Sequence, residues 1–238
     1  MQAATQAETI IPARFNGPPG SGNGGYTCGA LAAFVEGPAT VRLFVPPPLD
    51  KPLSVSRAED GIVTAHDGET LVGRATPASL ELELPPAPSM ADAEAAMDNF
   101  PCYHDHAFPT CFVCGPGREA HDGLEIFPGS AGPGKLLACR WQAAADLLDD
   151  AGNIRHEILW SALDCPGYFA AMEGQLRPAL LGELTAEIYR EVSGEQPLVV
   201  YAWPLGSEGR KFYGGTAIAT AEGEVVAASH STWIELKG

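Results

Sequence analysis

The sequence predicts an α+β protein built mainly from antiparallel sheet, and three observations support this class. Two apolar, helix-like segments at 24–36 and 156–173 are each followed by short runs rich in Val, Thr, Ile and Tyr. The runs follow one another without intervening helices, which favours antiparallel pairing over the strand–helix alternation of parallel sheets. The composition is that of a folded globular chain, since 45% of the 238 residues are hydrophobic and 18% are charged.

A glycine-rich segment, residues 16–25, leads directly into the first predicted helix. Its glycines let the backbone approach a ligand closely. A helix that begins at Gly24 or Gly25 also directs its unpaired N–H groups and the positive end of its dipole towards that ligand. The junction therefore predicts a site for negative charge, either a bound phosphate or an oxyanion that forms during a reaction.

The predicted strands occur in the same order in the two halves of the chain, which indicates an internal duplication. The first half has strands at 40–45, 53–57, 62–66 and 70–76, and the second half at 184–192, 198–203, 211–220 and 225–236. Short matches between residues 51–53 and 196–198, and between 67–69 and 222–224, support this interpretation.

A proline-rich segment, residues 85–109, separates the two halves and is interpreted as a linker. Within it, Ser89-Met90-Ala91-Asp92 has the pattern of a capping box and predicts a short helix that ends near Asp98. We therefore expect an N-terminal module at 1–84, the linker at 85–109 and a C-terminal module at 110–238.

The charge balance limits the partners of the protein. Lys and Arg number 14 against 30 Asp and Glu, which gives a net charge of -16 and opposes binding to nucleic acid or to an anionic membrane surface. We see no secretion signal and no apolar run near the roughly 18 residues that cross a bilayer. The six cysteines are expected to be reduced thiols, and the protein is expected in the cytoplasm.

Two motifs resemble a known family. Residues 111–116 (CFVCGP) followed by 122–127 (DGLEIF) are similar to the Cys-Phe-x-Cys-Gly … Gly-Leu segment of many hotdog-fold thioesterases. Residues 152–164 are similar to the family's glycine-rich turn, which is followed by an acidic residue on the helix. The chain thus resembles a double-hotdog protein of the acyl-CoA thioesterase superfamily over residues 11–238. The resemblance implies two tandem modules, each a curved antiparallel sheet wrapped around a central helix.

The same resemblance implies one active site shared by the two modules. When Gly22–Gly25 is aligned with residues 154–157, a shift of 132, Asp164 falls on Ala32. The first module retains the paired glycines that the family uses as an oxyanion hole, and the second retains the acid. In hotdog dimers these two parts come from different subunits, so a fused pair is expected to keep one complete site.

The second predicted helix carries a polar stripe at helical spacing. Glu157, Ser161, Asp164 and Tyr168 fall on one face of an otherwise apolar segment, and Pro166 is expected to kink the helix after Asp164. Burial raises a carboxyl pKa towards the range of a general base. The alternative is an inert Asp164 that only hydrogen-bonds the backbone or faces water.

The expected reaction is hydrolysis of a small acyl thioester, a coenzyme A or carrier ester, without a cofactor. Asp164 would act as base or nucleophile, and Gly25 with Gly24 would stabilise the oxyanion. Asn23 would orient water or the carbonyl, where the family usually has His. The expected substrate-binding residues are Glu157, Ser161, Tyr26 and Tyr168. The exposed sheet edges leave homo-oligomer formation open.

Several alternatives stay open at this point. A non-catalytic acyl-thioester binder would use the same crevice, and a hotdog hydratase or dehydratase is weaker because no Asp-to-His pairing on one loop is evident. The Gly-x-Gly-x-x-Gly pattern at 20–25 lacks the strand–helix context of a dinucleotide fold.

No metal is expected, although one cluster could supply four zinc ligands because it contains a Cys-x2-Cys pair. Its members are Cys102, His104, His106, Cys111 and Cys114. Cys28 and Cys165 are expected to be packing thiols on the two helices.

Overall fold

The computed structural model describes residues 5–132 and 135–237, and eleven strands in these ranges form one antiparallel sheet. The strands are β1 Thr5–Ile10, β2 Ala39–Leu43, β3 Pro52–Arg57, β4 Val63–Asp67, β5 Thr70–Pro77, β6 Gly129–Ser130, β7 Leu137–Trp141, β8 Ala179–Ile188, β9 Leu198–Glu208, β10 Lys211–Ala219 and β11 Val225–Glu235. The helices are α1 Gly24–Ala32, α2 Met90–Met97, α3 His156–Ala162 and α4 Cys165–Met172. This architecture confirms the predicted α+β class.

The strands follow an equivalent order on the two sides of the sheet centre. Read outwards from the centre, the order is β2-β5-β4-β3-β1 on one side and β8-β11-β10-β9-β7, followed by β6, on the other. The two sides join where β2 pairs with β8, and the hydroxyl groups of Thr40 and Thr185 lie 2.7 Å apart across this seam. The sheet is therefore built from two similar halves placed edge to edge.

The local structure also repeats at a shift of 132 residues. The 3₁₀ turn at Ala13–Phe15 has its counterpart at Ala145–Leu147, and helices begin at Gly24 and His156. An isolated bridge joins Asn16 to Gly22 in the first half, and its counterpart joins Leu148 to Ile154. Arg14 and Asp146, which occupy equivalent positions, form an ion pair with each other. The sequence alignment of the two helix starts thus agrees with the three-dimensional structure.

The helices differ from the prediction at their ends. α1 ends at Ala32 rather than at residue 36, and the predicted continuous helix over 156–173 is wrong because α3 and α4 are separate. Pro166 lies in the first turn of α4, where its missing N–H removes no helical hydrogen bond. The chain is therefore broken between the two helices, and Asp164 lies in that break. In α2, Ser89 Oγ accepts a hydrogen bond from the Asp92 N–H at 3.1 Å, as the capping box predicts.

Three strands were not predicted. β1 precedes the glycine-rich segment and lies at one edge of the sheet, whereas β7 and the two-residue β6 lie at the opposite edge. The strands that were predicted are all present, with ends shifted by a few residues. Among the described residues, no helix has the length and apolarity that a membrane crossing requires.

Glycines allow α1 and α3 to pack unusually closely between the two halves. A Cβ at Gly29 would lie 2.7 Å from Glu157 Cα and 2.7 Å from Trp160 Cβ. A Cβ at Gly25 would lie 2.5 Å from Asp164 Cβ and 2.7 Å from the Trp160 carbonyl oxygen. Only glycine fits at either position without moving the helices apart.

We expect Gly29→Ala to lower the free energy of unfolding by about 1–3 kcal/mol, because the added methyl group overpacks a backbone contact. Denaturant unfolding followed by circular dichroism measures the change. The matched control is Gly24→Ala, whose Cβ would meet the Leu181 side chain at 2.8 Å, a neighbour that can shift. Equal losses in the two variants would contradict the proposed role of close helix packing.

Candidate active site

The Asp164 carboxylate is held by two donors from the other half of the chain. Its Oδ2 accepts a hydrogen bond from the backbone N–H of Gly25 at 2.9 Å and one from Asn23 Nδ2 at 2.9 Å. Asp164 comes from the break between α3 and α4, whereas both donors belong to the first turn of α1 and its cap. The structure therefore brings together the acid of one half and the glycine-started helix of the other.

Burial strongly affects the ionisation of Asp164. The residue is only 2% exposed, and this desolvation raises the pKa of its carboxyl group to about 7. The hydrogen bonds from Gly25 and Asn23 act in the opposite direction, and the nearby Cys111 adds to the rise. Among the described residues, Asp164 Oδ1 has no hydrogen-bond partner. Asp164 thus offers one restrained oxygen and one free oxygen, which is the arrangement that a general base requires.

Asn23 has two roles that fix its side-chain amide. Its Oδ1 accepts a hydrogen bond from the Tyr26 N–H at 2.8 Å and so caps α1, while its Nδ2 donates to Asp164. Because these two contacts use opposite ends of the amide, they define its orientation. The cap residue of one helix therefore positions the carboxylate in front of it.

The Gly25 N–H is bound to Asp164 in this structure. Sequence analysis predicted it as an oxyanion donor, whereas here it restrains the acid. The N–H of Gly24, one residue earlier, belongs to the first helical turn and has no carbonyl partner within its own helix. The two glycines consequently have different surroundings at the helix start.

The four predicted substrate-binding residues have intramolecular partners of their own. The Ser161 hydroxyl donates to the Glu157 carbonyl oxygen at 2.7 Å, and the Tyr168 hydroxyl donates to the Arg177 carbonyl oxygen at 2.7 Å. The Glu157 carboxylate lies 3.5 Å from the Arg155 guanidinium. The Tyr26 ring stacks on Phe15 at 4.0 Å, and burial raises the pKa of Tyr26 to about 12. None of these side-chain groups hydrogen-bonds the Asp164 carboxylate.

Three thiols form a cluster beside this carboxylate, and the sequence pointed to two of them, Cys111 and Cys114, but not to Cys165. The Sγ atoms of Cys111, Cys114 and Cys165 all lie within 4.8 Å of one another, and Asn23 Nδ2 lies 4.0 Å from Cys111 Sγ. Cys165 immediately follows Asp164, and this adjacency was the sign in the sequence that places it near the candidate acid. Cys102 and His104 do not belong to this group.

Contacts among the three cysteines shift the pKa of each thiol. Hydrogen bonds from Cys114 and then Cys165, with smaller contributions from the backbone N–H groups of Cys114 and Val113, hold the pKa of the Cys111 thiol well below its usual value. The pKa of Cys114 is raised, first by burial, and that of Cys165 is raised, first by its contact with Cys111.

The equivalent position in the other half lacks an acid. The residue that corresponds to Asp164 at a shift of 132 is Ala32, and Glu157 occupies the position that corresponds to Gly25. A mirror-image carboxylate–glycine contact is therefore absent from this pair of positions.

No protein-family model matches the chain, and no curated protein matches it. Several solved structures, however, are similar to this chain over almost its whole length. An acyl-CoA thioesterase II TesB2 from Mycobacterium marinum is 13% identical, with a TM-score of 0.63 over 98% of this chain and 93% of that one. A tesB protein from Mycobacterium avium subsp. paratuberculosis is 11% identical, with a TM-score of 0.64 over 98% and 93% of the two chains.

A third similar structure is described by its fold. It is a conserved protein of unknown function with a hotdog fold from Alicyclobacillus acidocaldarius, 12% identical, with a TM-score of 0.65 over 99% of this chain and 96% of that one. Because the match covers almost the whole of each chain, it confirms the predicted fold, a hotdog fold present as two tandem units.

We expect Asp164→Asn to raise the free energy of unfolding at pH 8 by about 1–3 kcal/mol, because it removes a buried charge and keeps an acceptor for Gly25 and Asn23. Guanidinium unfolding of the purified variant measures this. The control Asp98→Asn alters an exposed carboxylate and is expected to stay within about 0.5 kcal/mol of wild type. A less stable Asp164→Asn protein would show that the carboxylate contributes to stability.

Proposed function

We propose that the protein hydrolyses an acyl thioester, with Asp164 as general base at a single site between the two halves. The observation that carries the proposal is the Asp164 carboxylate, which is buried, restrained through Oδ2 by Gly25 and Asn23, and unpartnered at Oδ1. A carboxylate with a raised pKa and one free oxygen is suited to remove a proton from water near neutral pH.

The proposed reaction proceeds through a tetrahedral intermediate. Asp164 Oδ1 takes a proton from a water molecule while the water oxygen bonds to the thioester carbonyl carbon. The carbon–sulfur bond then breaks, and the thiolate leaves with the proton that Asp164 returns. The products are a carboxylic acid and a free thiol, so atoms and charge balance without a cofactor.

The first turn of α1 supplies the proposed stabilisation of negative charge. The Gly24 N–H is a first-turn donor, and the helix dipole adds positive potential at this end. A donor of this kind typically contributes about 3 kcal/mol to stabilisation of the transition state. In this proposal Gly25 and Asn23 hold the base by hydrogen bonds, and the Gly24 N–H donates to the oxyanion that forms on the substrate.

Coenzyme A esters are the proposed substrate class. Two proteins with a similar structure are a tesB protein and an acyl-CoA thioesterase II, and the shared fold supports the same substrate class for this chain. Asp164 and Asn23 are each 2% exposed, so a thioester reaches the carboxylate only when covering side chains move.

We expect wild-type protein to release free thiol from at least one member of an acyl-CoA panel, measured with a thiol-trapping chromophore. Asp164→Asn is expected to lower kcat/KM by at least about 100-fold, because the amide cannot accept the proton. The Asp98→Asn control is expected to keep wild-type activity. Unchanged turnover in Asp164→Asn would reject Asp164 as the base.

Two substitutions of Asn23 separate its two roles. We expect Asn23→Ala to lose about 1 kcal/mol of stability with the helix cap, together with at least about tenfold in kcat/KM. Asn23→Ser restores a capping oxygen but cannot reach Asp164 as the amide does, so stability is expected to return without activity. Thermal unfolding and steady-state kinetics on the same preparations measure both. Joint recovery of stability and activity in Asn23→Ser would contradict a separate positioning role.

A non-catalytic acyl-thioester binder is the second candidate function. The observation that favours it is that the Gly25 N–H is already bound to Asp164, which removes one of the two predicted oxyanion donors. Tight binding of an acyl-CoA in calorimetry without thiol release would support this function over hydrolysis.

A further inference from the structure

Three buried thiols from two separate parts of the chain meet at one point. Cys111 and Cys114 lie in the loop that leads into the second half, and Cys165 is the first residue of α4. Each is at most 7% exposed, and their Sγ atoms all lie within 4.8 Å of one another. The fold thus brings a Cys-x2-Cys pair against a third cysteine more than fifty positions away.

The spacing of the sulfur atoms is that of ligands around one tetrahedral metal. Cys111 Sγ and Cys165 Sγ are 3.8 Å apart. Two sulfurs each about 2.3 Å from a tetrahedral zinc ion are separated by about 3.8 Å. Cys114 Sγ lies within 4.8 Å of both of these sulfurs, so all three surround one point.

The loop that carries Cys111 and Cys114 holds its two sulfurs on a tight turn. The Gly115 N–H donates to the Cys111 carbonyl oxygen at 2.9 Å, and a Cβ at Gly115 would lie 2.5 Å from the Cys111 nitrogen. The turn therefore requires glycine directly after the second cysteine.

His106 supports the group without being one of its ligands. Its Nδ1 accepts a hydrogen bond from the Phe108 N–H at 2.9 Å, so the neutral ring carries its proton on Nε2. Nε2 lies 3.3 Å from Cys114 Sγ and donates towards it. A protonated nitrogen cannot bind a metal, so this contact stabilises the Cys114 sulfur.

From this geometry we propose that Cys111, Cys114 and Cys165 bind one zinc ion as thiolates, leaving a fourth position for water. Three soft sulfur ligands in a tetrahedral arrangement select zinc over the hard cations magnesium and calcium. This ligand set differs from the one considered in the sequence, because it contains Cys165 and excludes Cys102 and His104. The proposal does not depend on thioester hydrolysis.

A bound zinc ion would join the loop at 111–114 to the start of α4. Asp164 precedes Cys165 directly, and Asn23 Nδ2 lies 4.0 Å from Cys111 Sγ and 2.9 Å from Asp164 Oδ2. The ion would therefore hold the segment that positions the candidate base. Its role would be to fix the geometry of this segment.

The test begins with full-length protein purified in zinc-containing medium without chelator. Mass spectrometry of the metal content is expected to find about one zinc per chain. X-ray absorption at the zinc edge is expected to show three sulfur neighbours at about 2.3 Å and one lighter atom. Removing the ion with a chelator is expected to lower the Tm, and adding zinc back is expected to restore it.

Variants identify the ligands. Cys111→Ser, Cys114→Ser and Cys165→Ser are each expected to weaken zinc affinity at least about 100-fold in competition with a chromophoric chelator, because each removes a thiolate ligand. Cys102→Ala is the matched control, a buried cysteine outside the group, and is expected to keep wild-type zinc content. His106→Gln is expected to keep the ion and all three sulfur neighbours.

Several results would overturn the proposal. Metal-free wild-type protein that does not take up added zinc would do so, as would fewer than three sulfur neighbours in the absorption spectrum. Loss of zinc from Cys102→Ala, with its fold intact by circular dichroism, would overturn the ligand assignment. A disulfide between Cys111 and Cys165, detected as the loss of two hydrogens in the intact mass under reducing-agent-free conditions, would replace the metal site with a redox pair. Because the absorption measurement uses wild-type protein, misfolding of a variant does not remove the test.

Discussion

One hydrogen bond, from the Gly25 N–H to Asp164 Oδ2, links the packing of the two halves to the chemistry of the candidate site. The bond can form only because α1 approaches the α3–α4 segment to within backbone distance. A Cβ at residue 25 would lie 2.5 Å from Asp164 Cβ, so any other residue would separate donor and acceptor. The close packing of α1 against the α3–α4 segment and the position of the Asp164 carboxylate therefore both require glycine at residue 25.

The duplication explains why the contact between Asp164 and Gly25 has no counterpart at the equivalent positions, Ala32 and Glu157. Related halves joined edge to edge would carry two equivalent helix contacts, each with a glycine and an acid. In this chain the second half has Glu157 where the first has Gly25, and the first half has Ala32 where the second has Asp164. A side chain at 157 is accommodated because its neighbour across the helix pair is Gly29, which leaves room for the Glu157 backbone. The two halves have thus divided between them the parts that a symmetrical pair would hold twice.

The sequence predicted the general architecture because strand order and helix starts are local properties. The runs of β-branched and aromatic residues identified eight strands, and the resemblance to hotdog dimers implied that the acid of one half lies opposite the glycines of the other. β1, with the polar sequence TQAETI, has no apolar alternation that would reveal an edge strand. The break before α4 was predicted as a kink, because a proline alone does not distinguish a bent helix from the start of a new one.

The finer features of the site depend on distances that sequence patterns do not contain. The Gly25 N–H donates a hydrogen bond to Asp164, a residue 139 positions away. This contact forms because two helices cross, which the sequence pattern does not show. The cluster of Cys111, Cys114 and Cys165 likewise forms because a loop meets the start of a helix, and Cys111 and Cys165 are 54 positions apart. The zinc set considered in the sequence was confined to residues 102–114, because only neighbours along the chain could be grouped. Cys165 was assigned to helix packing for the same reason.

The burial of the Asp164 carboxylate supports a functional role without reference to any similar protein. Burying an ionised carboxylate costs stability unless its hydrogen bonds replace those of water, and here only one of its two oxygens is satisfied. A chain shaped by stability alone would place an asparagine or an apolar residue between α3 and α4, since either avoids the cost. Instead the surrounding groups, a capping asparagine and a glycine N–H, are arranged to restrain the charge while one oxygen is left free. The unpartnered Oδ1 is open to a ligand or a reacting water molecule, so the proposed function is based on the site rather than on the fold.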